Sequence, residues 1–270
     1  MVELFDDALW VNSWTSSKGN QLKWETKGGI WYKADNLGYE GLSESVVSHL
    51  LSCSTMDSDE YVIYESCQIK YKKTILNGCK SNNFLCQGES LITLERLFKL
   101  AYNRSFLESV FRIADHADRL RFIVDTVTEL TGIDGFGEYI SKLLTADALF
   151  LNDDRHLHNV AVIRRPDGSY RLCPVFDMGA GLLSDTSLDY PAGGNIDDLI
   201  ASCRPKTFCE DFEEQVEICE KLYGDHIRFS FSRRDVMDLL KREKIYSEGQ
   251  KERVFDVIMA QKRRYGYLFK

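Results

Sequence analysis

Apolar and polar positions change their period along this chain. Over the first third they alternate in short runs broken by polar turns. Residues 8–14 (ALWVNSW) are aromatic-rich, and Thr15-Ser16-Ser17-Lys18-Gly19-Asn20 interrupts them. Residues 21–25 and 30–34 flank Thr26-Lys27-Gly28-Gly29, and alternation around such a turn predicts a hairpin. Residues 41–52 place Leu42, Val46, Val47, Leu50 and Leu51 at helical spacing, with Ser43 as the expected N-cap. Residues 61–71 return to strand character. Beyond Gly88 the period is helical: helices are predicted near 90–102, 105–115, 119–131, 136–151, 210–223, 233–243 and 249–266. One hairpin interrupts them, VAVIR and YRLCPVF around Pro166-Asp167-Gly168-Ser169.

Strands first and helices afterwards predict an α+β architecture. The expected organisation is two-lobed and protein-kinase-like: a small β-rich N-lobe over 1–87 and a larger helical C-lobe over 88–270. The join falls between about Tyr64 and Gly88, and the length of 270 residues suits two lobes sharing a cleft.

Composition narrows the function classes. With 44% hydrophobic and 28% charged residues, the chain can build a core. A net charge of -8 argues against a broad nucleic-acid-binding surface but leaves room for one compact anion. No apolar run suggests a membrane span. The acidic start MVELFDDALW lacks the basic and apolar regions of a secretory signal, so a cytoplasmic protein is expected. The eight cysteines are scattered without a CxxC pair, which predicts reduced thiols rather than a disulfide framework or zinc site.

The candidate chemistry lies in Leu151-Asn152-Asp153-Asp154-Arg155-His156-Leu157-His158-Asn159 and, beyond the hairpin, Phe176-Asp177-Met178-Gly179. A turn centred on Asp167-Gly168 sets residue 159 across from about residue 176. Asn159 and Asp177 then lie side by side, about 5–6 Å apart at Cα. Oxygen donors of this kind suit Mg²⁺, which prefers few protein carboxylates plus substrate phosphates. Phosphoryl transfer also needs a separate carboxylate to accept the proton of the attacking hydroxyl, and Asp154 precedes Asn159 in the same loop. In the first third, Lys33 lies on a strand, facing with Trp31 and opposite Ile30 and Tyr32. A helix carrying Glu44 follows. Such a lysine can reach nucleotide phosphates while the glutamate holds it. The loop 15–20, with its hydroxyls and single glycine, lies where a phosphate cover is expected.

Asp-Arg-His-x-x-Asn followed by Phe-Asp-x-Gly resembles the atypical kinases: the HipA-like bacterial serine/threonine kinases and, more distantly, the phosphoinositide kinases. "LNDDRHLHN", "PVFDMGAGLLSD", "GGIWYKADNLGYEGLSE" and "GCKSNNFL" look most like the compact CtkA-like group. The resemblance implies an ATP- and Mg²⁺-dependent kinase acting on the Ser/Thr hydroxyl of a protein. It implies Asp154 as base, Asn159 and Asp177 as metal ligands and Lys33 as the ATP lysine. Glu44 would be its partner, with Glu40 as competitor. Ser16, Ser17 and Gly19 would cover the phosphates, and His156 would organise the catalytic loop. The extra N-terminal subdomain of full-length HipA has no counterpart here.

Other readings stay open. Asp153-Asp154 reads also as a solvated acidic turn. His156 and His158 would share a face on a strand and, with Asp154 and Asp177, would suit a transition-metal hydrolase. A lipid or small-molecule kinase and a nucleotide-binding pseudokinase are the alternatives of function. Asp147 lies on the apolar stripe Phe136, Ile140, Leu143, Leu151, where a carboxylate needs a partner and reads as a brace beneath the loop. Ser184, Thr186 and Ser187 fall in the segment after Asp177.

Overall fold

The computed structural model describes residues 1–8 and 21–270, apart from the side chain of Asp7. The aromatic run 8–14, beyond Ala8, and the loop holding Ser16, Ser17 and Gly19 lie outside the described residues.

Five strands form the first sheet: β1 (Val2–Leu4), β2 (Lys23–Glu25), β3 (Ile30–Ala34), β4 (Glu65–Tyr71) and β5 (Thr74–Asn82), in the order β1-β4-β5-β3-β2. The β2–β3 hairpin forms around Thr26–Gly29, with Gly29 in the left-handed region and Lys23 directly opposite Lys33. Alternation sends Trp24, Tyr32, Ala34, Leu4 and Ile69 into a small core on one face and leaves Lys33 on the other. The central strand β5 pairs with both β3 and β4, in a region that the sequence offered only as a join between lobes.

α1 (Glu40–Leu51) follows β3. It starts before the expected cap: Ser43 is buried inside it, and its first-turn Gly41 N–H is taken by Asp35 at 2.6 Å. A Cβ on Gly41 would overlap the backbone of Gly78 in β5, and a Cβ on Gly78 would overlap the Lys33 carbonyl of β3. The apolar face of α1 (Leu42, Val46, Val47, Leu50) belongs to the large core of the helical part, not to the small core of the sheet.

The second sheet is three-stranded: β6 (Ser90–Thr93), β7 (Ala161–Arg164) and β8 (Tyr170–Leu172), in that order. β6 occupies the start of the segment expected to be helical from 90, and Thr93 then caps α2 (Leu94–Tyr102) through its hydroxyl. α3 (Phe106–Phe111), α4 (His116–Thr131) and α5 (Phe136–Phe150) follow, then α6 (Ile196–Ser202), α7 (Phe212–Tyr223), α8 (Arg233–Arg242) and α9 (Glu248–Arg264). Side-chain caps from Ser105, Asp115 and Asp211 open α3, α4 and α7. Ser232 and Ser247 form capping boxes on α8 and α9. All eight cysteines are free thiols. Among the described residues no helix is long and apolar enough to cross a membrane.

Candidate active site

α5 ends at Leu151, whose backbone is left-handed (φ 54°) and turns the chain into the loop 152–160. Beneath that loop Asp147 and Arg155, both fully buried, form a two-pronged ion pair, Nε to Oδ2 at 2.8 Å and Nη2 to Oδ1 at 3.1 Å. Asn152 adds an amide N–H to Asp147 at 2.8 Å. The remaining Arg155 nitrogen, Nη1, donates to the carbonyls of Asn159 (3.0 Å) and Phe176 (2.9 Å). One guanidinium thereby fixes both segments that carry the oxygen-bearing side chains. Burial pushes the Asp147 carboxyl up, opposed by the Arg155 charge.

The two neighbouring aspartates part company. Asp153 turns inward and accepts the Tyr190 hydroxyl at 2.6 Å. Asp154 lines the cleft, with its carbonyl and Oδ2 accepting from the Asn159 amide at 2.9 and 3.4 Å. With its amide nitrogen turned to Asp154, Asn159 presents its oxygen as the acceptor. Neither aspartate belongs to a solvated turn: they are 3% and 9% exposed.

The hairpin register is Val162 with Leu172 and Arg164 with Tyr170, so residue 159 projects to 175, one short of the sequence expectation. The turn closes from Gly168 N to Arg165 O and centres on Asp167, which accounts for the slip. Asp177 nevertheless joins Asn159 and Asp154 in the cleft, its backbone left-handed at φ 62°.

Lys33 crosses from the sheet to meet them. Its Nζ lies 2.6 Å from Glu44 Oε1 and 2.6 Å from Asp177 Oδ1, with the lysine side chain 11% exposed. Burial alone would lower its pKa, but Asp177 and Glu44 outweigh it and hold Lys33 well above the usual lysine range. Asp177 is partly buried, which works against its charge. Lys33, then Lys23, nevertheless bring it well below the usual carboxylate range. Glu44 Oε2 also accepts the Met178 N–H at 2.8 Å, and Ser43 donates to the Met178 carbonyl at 2.7 Å. The competitor Glu40 is engaged elsewhere, accepting the N–H groups of Leu37 (2.6 Å) and Gly38 (3.1 Å).

His156 is half-buried in the loop. Its Nδ1 accepts the His158 N–H at 3.2 Å, and burial lowers its pKa. The two histidines sit on turns rather than a strand, rings perpendicular at 5.4 Å. Among the described residues no three His, Cys, Asp or Glu side chains are arranged to hold a metal ion. The pair Asn159 and Asp177 suits a cation that draws its other ligands from phosphate and water.

Sequence reasoning gave Lys23 no part in the site. It lines the same cleft and lies across the hairpin from Lys33, one residue away from the partner Tyr32 that a turn centred on Lys27-Gly28 would give it. It also gave no sign of the ties on the segment after Asp177. Tyr39 donates its hydroxyl to the carbonyls of Leu182 (2.8 Å) and Leu183 (3.0 Å), and buried Arg253 donates to Tyr39 Oη (3.1 Å) and the Tyr190 carbonyl (3.0 Å). Ser184 is fully buried and bonded to the Gly179 carbonyl, whereas Ser187 is exposed.

A five-stranded sheet with one helix, set against a helical lobe across this cleft, is a kinase-like fold. Among solved structures, the proinflammatory kinase CtkA of Helicobacter pylori matches with a TM-score of 0.61 at 16% identity, over 97% of this chain and 94% of that one. At that identity the likeness is one of fold. No family model and no curated protein sequence matches the chain.

Proposed function

We propose that this chain is an ATP- and Mg²⁺-dependent kinase that transfers the γ-phosphoryl group to a serine or threonine hydroxyl of a protein. The observation that carries this reading is the meeting of the Lys33–Glu44 pair with Asp177, Asn159 and Asp154 in one cleft. The name of the structural neighbour, a kinase, supports it. Residues 1–87 would cover the nucleotide and 88–270 carry the catalytic loop and the acceptor's side, in a cytoplasmic protein acting without nucleic acid or membrane.

Lys33, held by Glu44, supplies a compact positive charge to the α- and β-phosphates. Ser16, Ser17 and Gly19, outside the described residues, would cover the phosphates. Asn159 and Asp177 would hold Mg²⁺, which when bound neutralises charge on the phosphate oxygens. Asp154 accepts the proton of the acceptor hydroxyl as its oxygen bonds to the γ-phosphorus and the bond to the ADP oxygen breaks. His156 keeps the loop in shape behind Asp154.

Labelled ATP supplied with general protein substrates, with phosphoinositide vesicles, or alone tests this reading. Mg²⁺-dependent label on protein, lost in Asp154→Asn, is the expected result. Label on lipid alone would move the acceptor class, and nucleotide binding without transfer would make the chain a pseudokinase.

A further inference from the structure

We infer that Lys206, on the loop between α6 and α7, is a further catalytic residue that contacts the γ-phosphoryl group as it is transferred; this rests on the kinase reading above. Its Nζ lies 3.8 Å from Asp154 Oδ1. Phosphoryl transfer spreads negative charge over the oxygens between donor and acceptor. On the nucleotide side Lys33 and Lys23 answer that charge. On the acceptor's side, beside Asp154, the other basic groups of the catalytic loop are committed. Arg155 is fully buried against Asp147, and His156 accepts a hydrogen bond at Nδ1, which leaves its ring neutral.

Lys206 differs from them in carrying a half-exposed side chain on a backbone held between buried neighbours. Pro205 and Thr207 on either side are buried, while the Lys206 side chain is 48% exposed. Thr207 donates its hydroxyl at 2.6 Å to the carbonyl of Arg155, the residue directly after Asp154. Arg119 of α4 donates to the Phe208 carbonyl at 2.9 Å. The loop is therefore tied to the catalytic loop at its base. The contact is long at 3.8 Å and its lysine end is half exposed although Asp154 is buried, so the Nζ can swing from Asp154 to a phosphoryl oxygen beside it. During transfer it would donate to an equatorial oxygen while Asp154 holds the acceptor's proton; Lys206 neither gains nor loses a proton.

The test uses the full chain with Mg·ADP and aluminium fluoride as a mimic of the phosphoryl group in flight. Lys206→Ala should lower kcat by about 100-fold, as loss of one charge-stabilising donor does. It should weaken the mimic by a similar factor and leave Mg·ADP affinity and the unfolding midpoint unchanged. Lys206→Arg should recover part of the loss. In an Asp154→Asn background, Lys206→Ala should weaken the mimic by the same factor. A lysine that served only to orient Asp154 would have no effect there, and that outcome overturns the inference. So does wild-type kcat in Lys206→Ala, which leaves the kinase proposal standing. Absence of both transfer and Mg·ADP binding in the unaltered chain removes the kinase proposal itself, and this inference with it.

Discussion

Asp147 and Arg155 face each other with no exposed surface between them, two N–H groups on two carboxylate oxygens at 2.8 and 3.1 Å. Arg155 also holds the carbonyls on either side of the hairpin, so the pair acts as the keystone of the site. Removing one partner strands the other's charge in the interior. Asp147→Ala is therefore expected to cost about 3–5 kcal/mol of stability, read as a lower urea midpoint. Replacing both together by Leu and Met should cost less than Asp147→Ala alone. Equal midpoints for Asp147→Ala and the unaltered chain would contradict the keystone role.

Asp154 lines the cleft, with its carboxylate 3.4 Å from the Asn159 amide and 3.8 Å from Lys206. Asp154→Asn is expected to keep the fold and nucleotide affinity while phosphotransfer falls by about 10²-fold or more. Turnover within a few-fold of the unaltered chain would show that another group takes the proton.

Asp177 and Asn159 bring unequal donors to a divalent cation. Asp177→Ala should weaken Mg²⁺-dependent nucleotide binding in calorimetry more than Asn159→Ala, because a carboxylate contributes charge and an amide does not. The reverse order would assign the ligands wrongly.

Lys33 tests the sheet's part separately. Lys33→Ala should reduce turnover by orders of magnitude, and Lys33→Arg should not restore it, since a planar fork replaces a compact ammonium poorly. Lys27→Ala, on the exposed turn, is the control and should be near neutral. Lys23→Ala should raise the KM for ATP because Lys23 shares the cleft. A nucleotide-bound structure with Lys33 turned to solvent would leave only the catalytic loop's motif.

Asp35 gives a pH dependence. Burial raises its pKa to about 7, with Glu40 adding to the rise and the Gly41 N–H and Tyr246 hydroxyl opposing it. In the unfolded chain it returns to about 4. Between those values the folded state holds the proton and the unfolded state has lost it. This contribution is therefore full below about pH 4 and lost as the pH rises to about 7. Asp35→Asn should flatten that fall in urea midpoints measured from pH 5 to 7.5; an unchanged slope would assign it to other groups.

Legibility in the sequence followed distance along the chain. Asp154, Asn159 and Asp177 lie within one loop and its hairpin, so their order was readable, and the turn's own hydrogen bonds corrected the register only by one residue. Lys33 and Glu44 were readable from strand alternation and helical spacing. β5 was not, because Asn77, Gly78, Lys80 and Asn82 break its apolar pattern: a Cβ on Gly78 would overlap the Lys33 carbonyl of β3, a constraint between two elements. Ser43 resembled a cap but serves the Met178 carbonyl, far along the chain. The proximity of Lys206 to Asp154, and of Arg253 to Tyr39, exists only after α6–α9 have packed.

α1 carries Glu44, yet it sinks Leu42, Val46, Val47 and Leu50 into the same core as the C-terminal helices. Prising them loose would cost at least about 6 kcal/mol at about 1.5 kcal/mol or more each. That leaves fewer than about one molecule in 10⁴ with the helix displaced. The helix is thus a wall rather than a lever.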